Sequence, residues 1–178
     1  MSRTIYRRDL LKNAALSSAG ALFVKPGVLT GAHAPSDKLH IAAIGVGCRG
    51  WADIQGVRSE NIVALCDVNR KNLNRAAKQF PKAKTYEDWR TCLDQKDLEA
   101  VVCATTDHTH AFINIWAMNR DLHVYCEKPL ANSVEEAHLV RQTYLKKKRK
   151  IATQMGTQIH ASDNYRRMVE LVRNGAIG

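Results

Sequence analysis

Three glycines at the spacing G-x-G-x-x-G, Gly45, Gly47 and Gly50, follow at once on an apolar run of strand length, residues 39–44. No other stretch restricts the fold so closely. Gly45 permits a tight turn out of a buried strand, Gly47 lets a phosphate approach the backbone, and Gly50 lets the next helix pack closely. Cys48 and Arg49 fill the bend between them. Free N–H groups at a helix start attract an anion, so the turn is a candidate pyrophosphate cradle. Any tight strand-to-helix turn can use such glycines, however, and the triplet needs support from elsewhere.

Support comes from residues 62–67, a second apolar run ending in Asp67, 22 positions after Gly45 and 17 after Gly50. A carboxylate at the end of the second strand, about 20 residues on, hydrogen-bonds the ribose hydroxyls of a dinucleotide. It would also repel a 2′-phosphate, which favours NAD over NADP. Arg70 could soften that preference, although an ordinary exposed helical arginine accounts for it equally well.

The rest of the chain alternates between two periodicities. Strands are expected at residues 39–44, 62–67, 84–86, 98–104, 122–126 and 151–155. Helices are expected at 51–58, 69–80, 88–93, 109–120, 133–147 and 163–174, the second of them stopped by Pro81. In the last helix Met168, Val169, Leu171 and Val172 form the stripe expected to be buried. Strands nearly continuous in Val, Ile, Leu and Ala, separated by helices, indicate an α/β fold with a doubly wound parallel sheet.

With 178 residues the chain has room for one domain and a short appendage. Its formal charge is +10, but residues 1–34 hold five basic groups against one acid. The basic run at 146–150 falls at a helix C-terminus, where cations complement the dipole. No basic stripe interleaved with aromatics is present, so no nucleic-acid partner is expected. The five cysteines show no C-x-x-C and no histidine at ligand spacing. Neither a disulfide framework nor a metal site is indicated, and Cys66, Cys103 and Cys126 read as small buried hydrophobes.

Arg7 and Arg8 precede a charge-free segment, residues 13–24. That segment is too short to cross a bilayer, which takes about 20 apolar residues. The pattern looks like a twin-arginine export leader over residues 1–34, with Ala32-His33-Ala34 as the cleavage signal. An amphipathic helix retained in the mature protein is the alternative. A leader implies a periplasmic or extracytoplasmic destination without a stable membrane anchor, reached with the protein already folded.

Ligands of an open parallel sheet bind beyond the carboxyl ends of its strands. After the fourth strand comes Thr105-Thr106-Asp107-His108-Thr109-His110. Its hydroxyls and imidazoles could line the path of a diphosphate and nicotinamide ribose, whereas helix capping by Thr or Asp explains part of the cluster and leaves both histidines over. After the fifth strand comes Glu127-Lys128-Pro129. A lysine there can relay a proton from a substrate hydroxyl as hydride leaves the same carbon, whereas a plain surface Glu-Lys pair is the simpler reading.

Taken together, residues 41–50, Asp67, the Ala104-Thr105-Thr106 turn with His108 and His110, Glu127-Lys128-Pro129-Leu130, Gly156-Thr157-Gln158 and the closing Gly175-Ala176-Ile177-Gly178 resemble the N-terminal part of the Gfo/Idh/MocA oxidoreductases. The likeness runs from about Lys38 to the last residue. It implies a Rossmann domain over residues 38–178 in which Gly45, Gly47, Gly50 and Asp67 bind NAD(P). It also implies that Thr105, Thr106 and His110 lie along the dinucleotide, that Glu127 and Lys128 face nicotinamide and substrate, and that Pro129 follows a cis bond. The expected activity is hydride transfer between NAD(P) and a sugar or polyol hydroxyl. By the same resemblance a second domain carries the substrate pocket and the homo-oligomer interface, and the sequence stops about where that domain would start. An NAD-dependent glycosidase and a non-catalytic nucleotide-binding chain remain as alternatives.

Overall fold

A computed structural model describes residues 38–158 and 163–176. The expected leader lies outside them. In chain order the elements are β1 (His40–Ile44), α1 (Cys48–Gly56), β2 (Asn61–Cys66), α2 (Arg70–Gln79), β3 (Lys84–Tyr86), α3 (Trp89–Leu93), β4 (Ala100–Cys103), α4 (Asp107–Asn119), β5 (His123–Glu127), α5 (Val134–Lys147), β6 (Thr153–Gly156) and α6 (Asp163–Arg173).

The strands form one sheet in the order β3-β2-β1-β4-β5-β6, with every pairing parallel. β1 therefore sits in the middle, with crossovers leaving toward both edges, and the doubly wound reading holds. Its Ile41, Ala42, Ala43 and Ile44 are all buried because both faces of the sheet are covered. Ala42 and Ile44 belong to one core with Cys66, Val101, Cys103, Ile113 and Met118, while Ile41 and Ala43 belong to the other with Ile54, Leu65 and Leu73.

Register carries a functional consequence. Ile41 pairs with Ile62, but Ala42 pairs with Ala64, so Val63 is the extra residue of a bulge. The shift sets Cys66 opposite Ile44 and delivers Asp67 beside the glycine bend. Side-chain caps fix several helix starts: Asn69 accepts from Lys71 N–H and Asp88 from Arg90 N–H. At α5 the Ser133 hydroxyl accepts from Glu136 N–H, while the Glu136 carboxylate reaches back to Asn132 N–H, a close variant of the capping box.

Three expectations require correction. α1 begins at Cys48 and α4 at Asp107, each two or three residues before the apolar periodicity starts, because the bends themselves wind directly into helix. β6 runs to Gly156, one residue beyond the sequence estimate. The Met168, Val169, Leu171 and Val172 stripe of α6 is not buried: these residues are 37–59% exposed, and no described residue of that helix is buried. The amphipathic pattern was read correctly as a helix, but no described element packs against it closely enough to bury it.

Candidate functional site

A groove of about 440 Å3 opens at the carboxyl ends of β1, β2 and β4. The glycine bend forms its floor. Gly45 turns at φ +81°, where a side chain is strained, and its N–H donates to the Cys66 carbonyl at 2.8 Å. Gly50 lies against the Gly45 carbonyl, with the Ala104 methyl 3.1 Å from where its own Cβ would be. Cys48 adopts a left-handed φ of 34°, an uncommon position for a side chain, and this winds the bend tightly into α1.

Asp67 is tied into the same bend. Its carboxylate accepts from Val46 N–H at 3.0 Å and from Asn69 N–H at 2.7 Å. One side chain thus locks the first strand's exit to the second's. The Thr105 and Thr109 hydroxyls meet at 2.7 Å, and Thr109 passes its hydrogen to the Thr106 carbonyl at 2.8 Å, which leaves Thr105 as donor to Thr109.

Gly45, Gly47, Cys48, Arg49, Asp67, Thr105 and Thr106 all line the groove. The two histidines do not. His108 is exposed at the start of α4. His110 is 1% exposed, with Nδ1 at 2.6 Å from the Pro129 carbonyl and Nε2 at 3.1 Å from the Thr105 carbonyl. It joins the β4–α4 turn to the turn after β5.

Thr109, of the same cluster, lines the groove too; sequence reasoning missed Asn72, Glu87 and Trp89, which also line it. Asn72 stands against Gly47, its amide 2.5 Å from where a Cβ would be. These three lie on helices or loops of ordinary composition, and only the strand order brings them to the site.

Glu127 does not line this groove but bonds to Arg49, which does, in a second constellation. It is 5% exposed; Arg49 Nε donates to its carboxylate at 3.0 Å and the Tyr125 hydroxyl at 3.2 Å. The other end of the Arg49 guanidinium pairs with Asp53 at 2.8 Å. Gly156 makes room for the cluster, since a Cβ there would meet the Tyr125 hydroxyl at 2.5 Å as well as the Glu127 carboxylate. Lys128 is exposed, and its bond to Pro129 is cis.

Burial, followed by the nearby Glu127 charge, raises the Asp53 carboxyl to about 6. Its side chain is 4% exposed, and its Oδ2 has no hydrogen-bond partner. The native state therefore retains a proton that the unfolded chain has lost above pH 3.8. Stability from this group is full below that pH, falls as pH rises toward about 6, and stays low beyond. Asp53→Asn is expected to leave urea stability at pH 4 nearly unchanged and to raise it at pH 7.5 by at most about 3 kcal/mol. Equal effects at the two pH values would show that Asp53 is not the titrating group.

The family model described as "Oxidoreductase family, NAD-binding Rossmann fold" (GFO_IDH_MocA) matches residues 39–155. The chain belongs to this family. Among curated relatives, the inositol 2-dehydrogenase of Salmonella paratyphi B is 27% identical over 123 residues, covering 68% of this chain and 36% of that protein. The solved myo-inositol 2-dehydrogenase of Lactobacillus plantarum superimposes with a TM-score of 0.73 at 27% identity, over 79% of this chain and 42% of its own. A myo-inositol dehydrogenase from Lactobacillus casei, solved with NAD(H) and myo-inositol, gives 0.69 at 27% identity, over 79% of this chain and 43% of its own. The chain thus spans less than half the length of these family members. The domain is the family's NAD-binding Rossmann fold.

Proposed function

We propose that this chain is the dinucleotide-binding portion of an oxidoreductase that moves hydride between NAD and a hydroxyl-bearing carbon of a sugar or polyol. The observation that carries the reading is the Asp67 carboxylate, hydrogen-bonded into the glycine bend at the mouth of the groove. That arrangement offers amide hydrogens to a diphosphate and an acceptor to a ribose diol, and it disfavours a 2′-phosphate. When bound, NAD supplies the hydride acceptor. The chain supplies the cradle, and the exposed Lys128 after β5 is the group suited to take the hydroxyl proton. Inositol dehydrogenases among the relatives support net oxidation of a polyol over glycoside cleavage.

Trp89 lines the groove with its ring edge-on to Trp116 at 5.6 Å, so its emission reports on ligand there. NAD at 100 times its Kd is expected to quench that emission and to stabilise the fold by about 2.7 kcal/mol. No quenching and no change in melting temperature at millimolar NAD would overturn the reading.

The Arg7-Arg8 pattern supports export as a folded protein, by a leader that lies outside the described residues. Among the described residues no helix is long and apolar enough to cross a membrane. Recovery of the uncleaved chain from the cytoplasmic fraction alone would overturn export.

A further inference from the structure

Two thiols and an imidazole that are scattered in sequence meet near the carboxyl end of the sheet. β4 and β5 pair with Cys103 opposite Cys126. The ligand atoms of Cys103, His110 and Cys126 all lie within 4.8 Å of one another, and all three residues are buried.

The hydrogen bonding of this cluster does not close by itself. Both ring nitrogens of His110 face carbonyl oxygens, which only accept, and a neutral imidazole carries a single N–H. With the proton on Nδ1, at the shorter 2.6 Å contact, the Nε2 lone pair is aimed at the Thr105 carbonyl 3.1 Å away. One turn further along α4, Asn114 is 2% exposed and its Oδ1 has no hydrogen-bond partner. It lines the same cavity as Cys126. The Cys126 thiol donates to the Glu127 carbonyl at 3.3 Å and Cys103 Sγ lies 3.6 Å from the Thr105 hydroxyl, so neither thiol supplies a donor to the Asn114 Oδ1 or to the Nε2 lone pair.

We propose that Cys103, His110 and Cys126 form a binding site for a thiophilic divalent cation of the zinc class, with an oxygen of Asn114 or Thr105 as the fourth donor. Zinc binds thiolate at about 2.3 Å and imidazole at about 2.0 Å, which sets tetrahedral ligand atoms roughly 3.5–4 Å apart. The observed cluster needs to contract by at most about 1.3 Å to reach that. Each thiol gives its proton to solvent as the metal–sulfur bond forms, so a dication with two thiolates leaves the buried site neutral. The Pro129 carbonyl holds the imidazole from its other nitrogen, as an outer partner does at metal sites. A cavity of about 280 Å3, lined by Asn114 and Cys126 together with Leu130, Val140, Tyr144 and Met155, provides the path of entry. The site does not depend on nucleotide binding.

The test is a Cd2+ titration of the full chain, reduced and stripped of metal, followed by the thiolate-to-cadmium absorption band. The band is expected to saturate at one equivalent with about two protons released, and to disappear on Zn2+ competition. Cys103→Ser and Cys126→Ser each lose it, His110→Gln weakens affinity at least about tenfold, and Cys48→Ser retains it. The Cys48→Ser/Cys92→Ser variant keeps three buried thiols, Cys66, Cys103 and Cys126, and should bind as the wild type does. Absence of the band in the folded wild type or in that variant overturns the proposal, as does a band that survives Cys103→Ser/Cys126→Ser.

Discussion

Gly50→Val is expected to abolish NAD binding and to destabilise the domain by about 3 kcal/mol or more. The side chain would be driven into the Gly45 carbonyl, a backbone group of the bend itself, and into the Ala104 methyl. Backbone cannot swing aside as a flexible side chain can. The bend, the start of α1 and the β4 turn would all have to move. Gly47→Ala makes the useful contrast: its Cβ meets the Asn72 amide, the end of a mobile side chain. Stability there should change by less than about 1 kcal/mol, while a methyl stands where the diphosphate approaches the backbone. Urea denaturation and titration calorimetry on the two variants separate the effects. Full NAD affinity in a folded Gly50→Val chain would remove the bend from the site.

Asp67→Ala is expected to weaken NAD binding by about 1.5–3 kcal/mol, or roughly 10- to 150-fold, through loss of a charged acceptor for the ribose. It should also destabilise the unliganded fold by about 1–3 kcal/mol, because the buried Val46 N–H and the Asn69 N–H lose their acceptor. Asp67→Asn tells the two roles apart. Its amide oxygen can still accept from one of those donors, but it removes the charge that repels a 2′-phosphate. Relative affinity for NADP over NAD should therefore rise in both variants, with the smaller loss of stability in the asparagine chain. A cofactor preference unchanged in both would mean that Asp67 does not read the ribose.

The sheet was legible in the chain because its strands are buried on both sides and so run without alternation, as Ile41 to Ile44 do. Asp67 could be placed for the same reason, since it is the first polar residue after such a run. The bulge at Val63 that brings it to the bend could not, because one extra apolar residue in an apolar strand leaves no mark. His108 and His110 were read as one polar cluster, yet their helical spacing sends one to solvent and the other inward. Glu127 read as a partner of Lys128, next in sequence. Its actual partners, Arg49 and Tyr125, depend on strand order, and the room for them depends on Gly156, which ends the next strand and pairs with Glu127 in register. The α6 stripe gave the helix correctly and its burial wrongly, since periodicity states which residues share a face and nothing of what covers it.

β1 is hydrogen-bonded to β2 on one side and β4 on the other, so the groove between them exists only once distant parts of the chain have closed on each other. A molecule seated there is coupled to the cooperative opening of the domain as a whole. Its binding should therefore slow amide hydrogen exchange in the central strands as well as at the loops it touches, and a ligand that protected the loops alone would be sitting somewhere else.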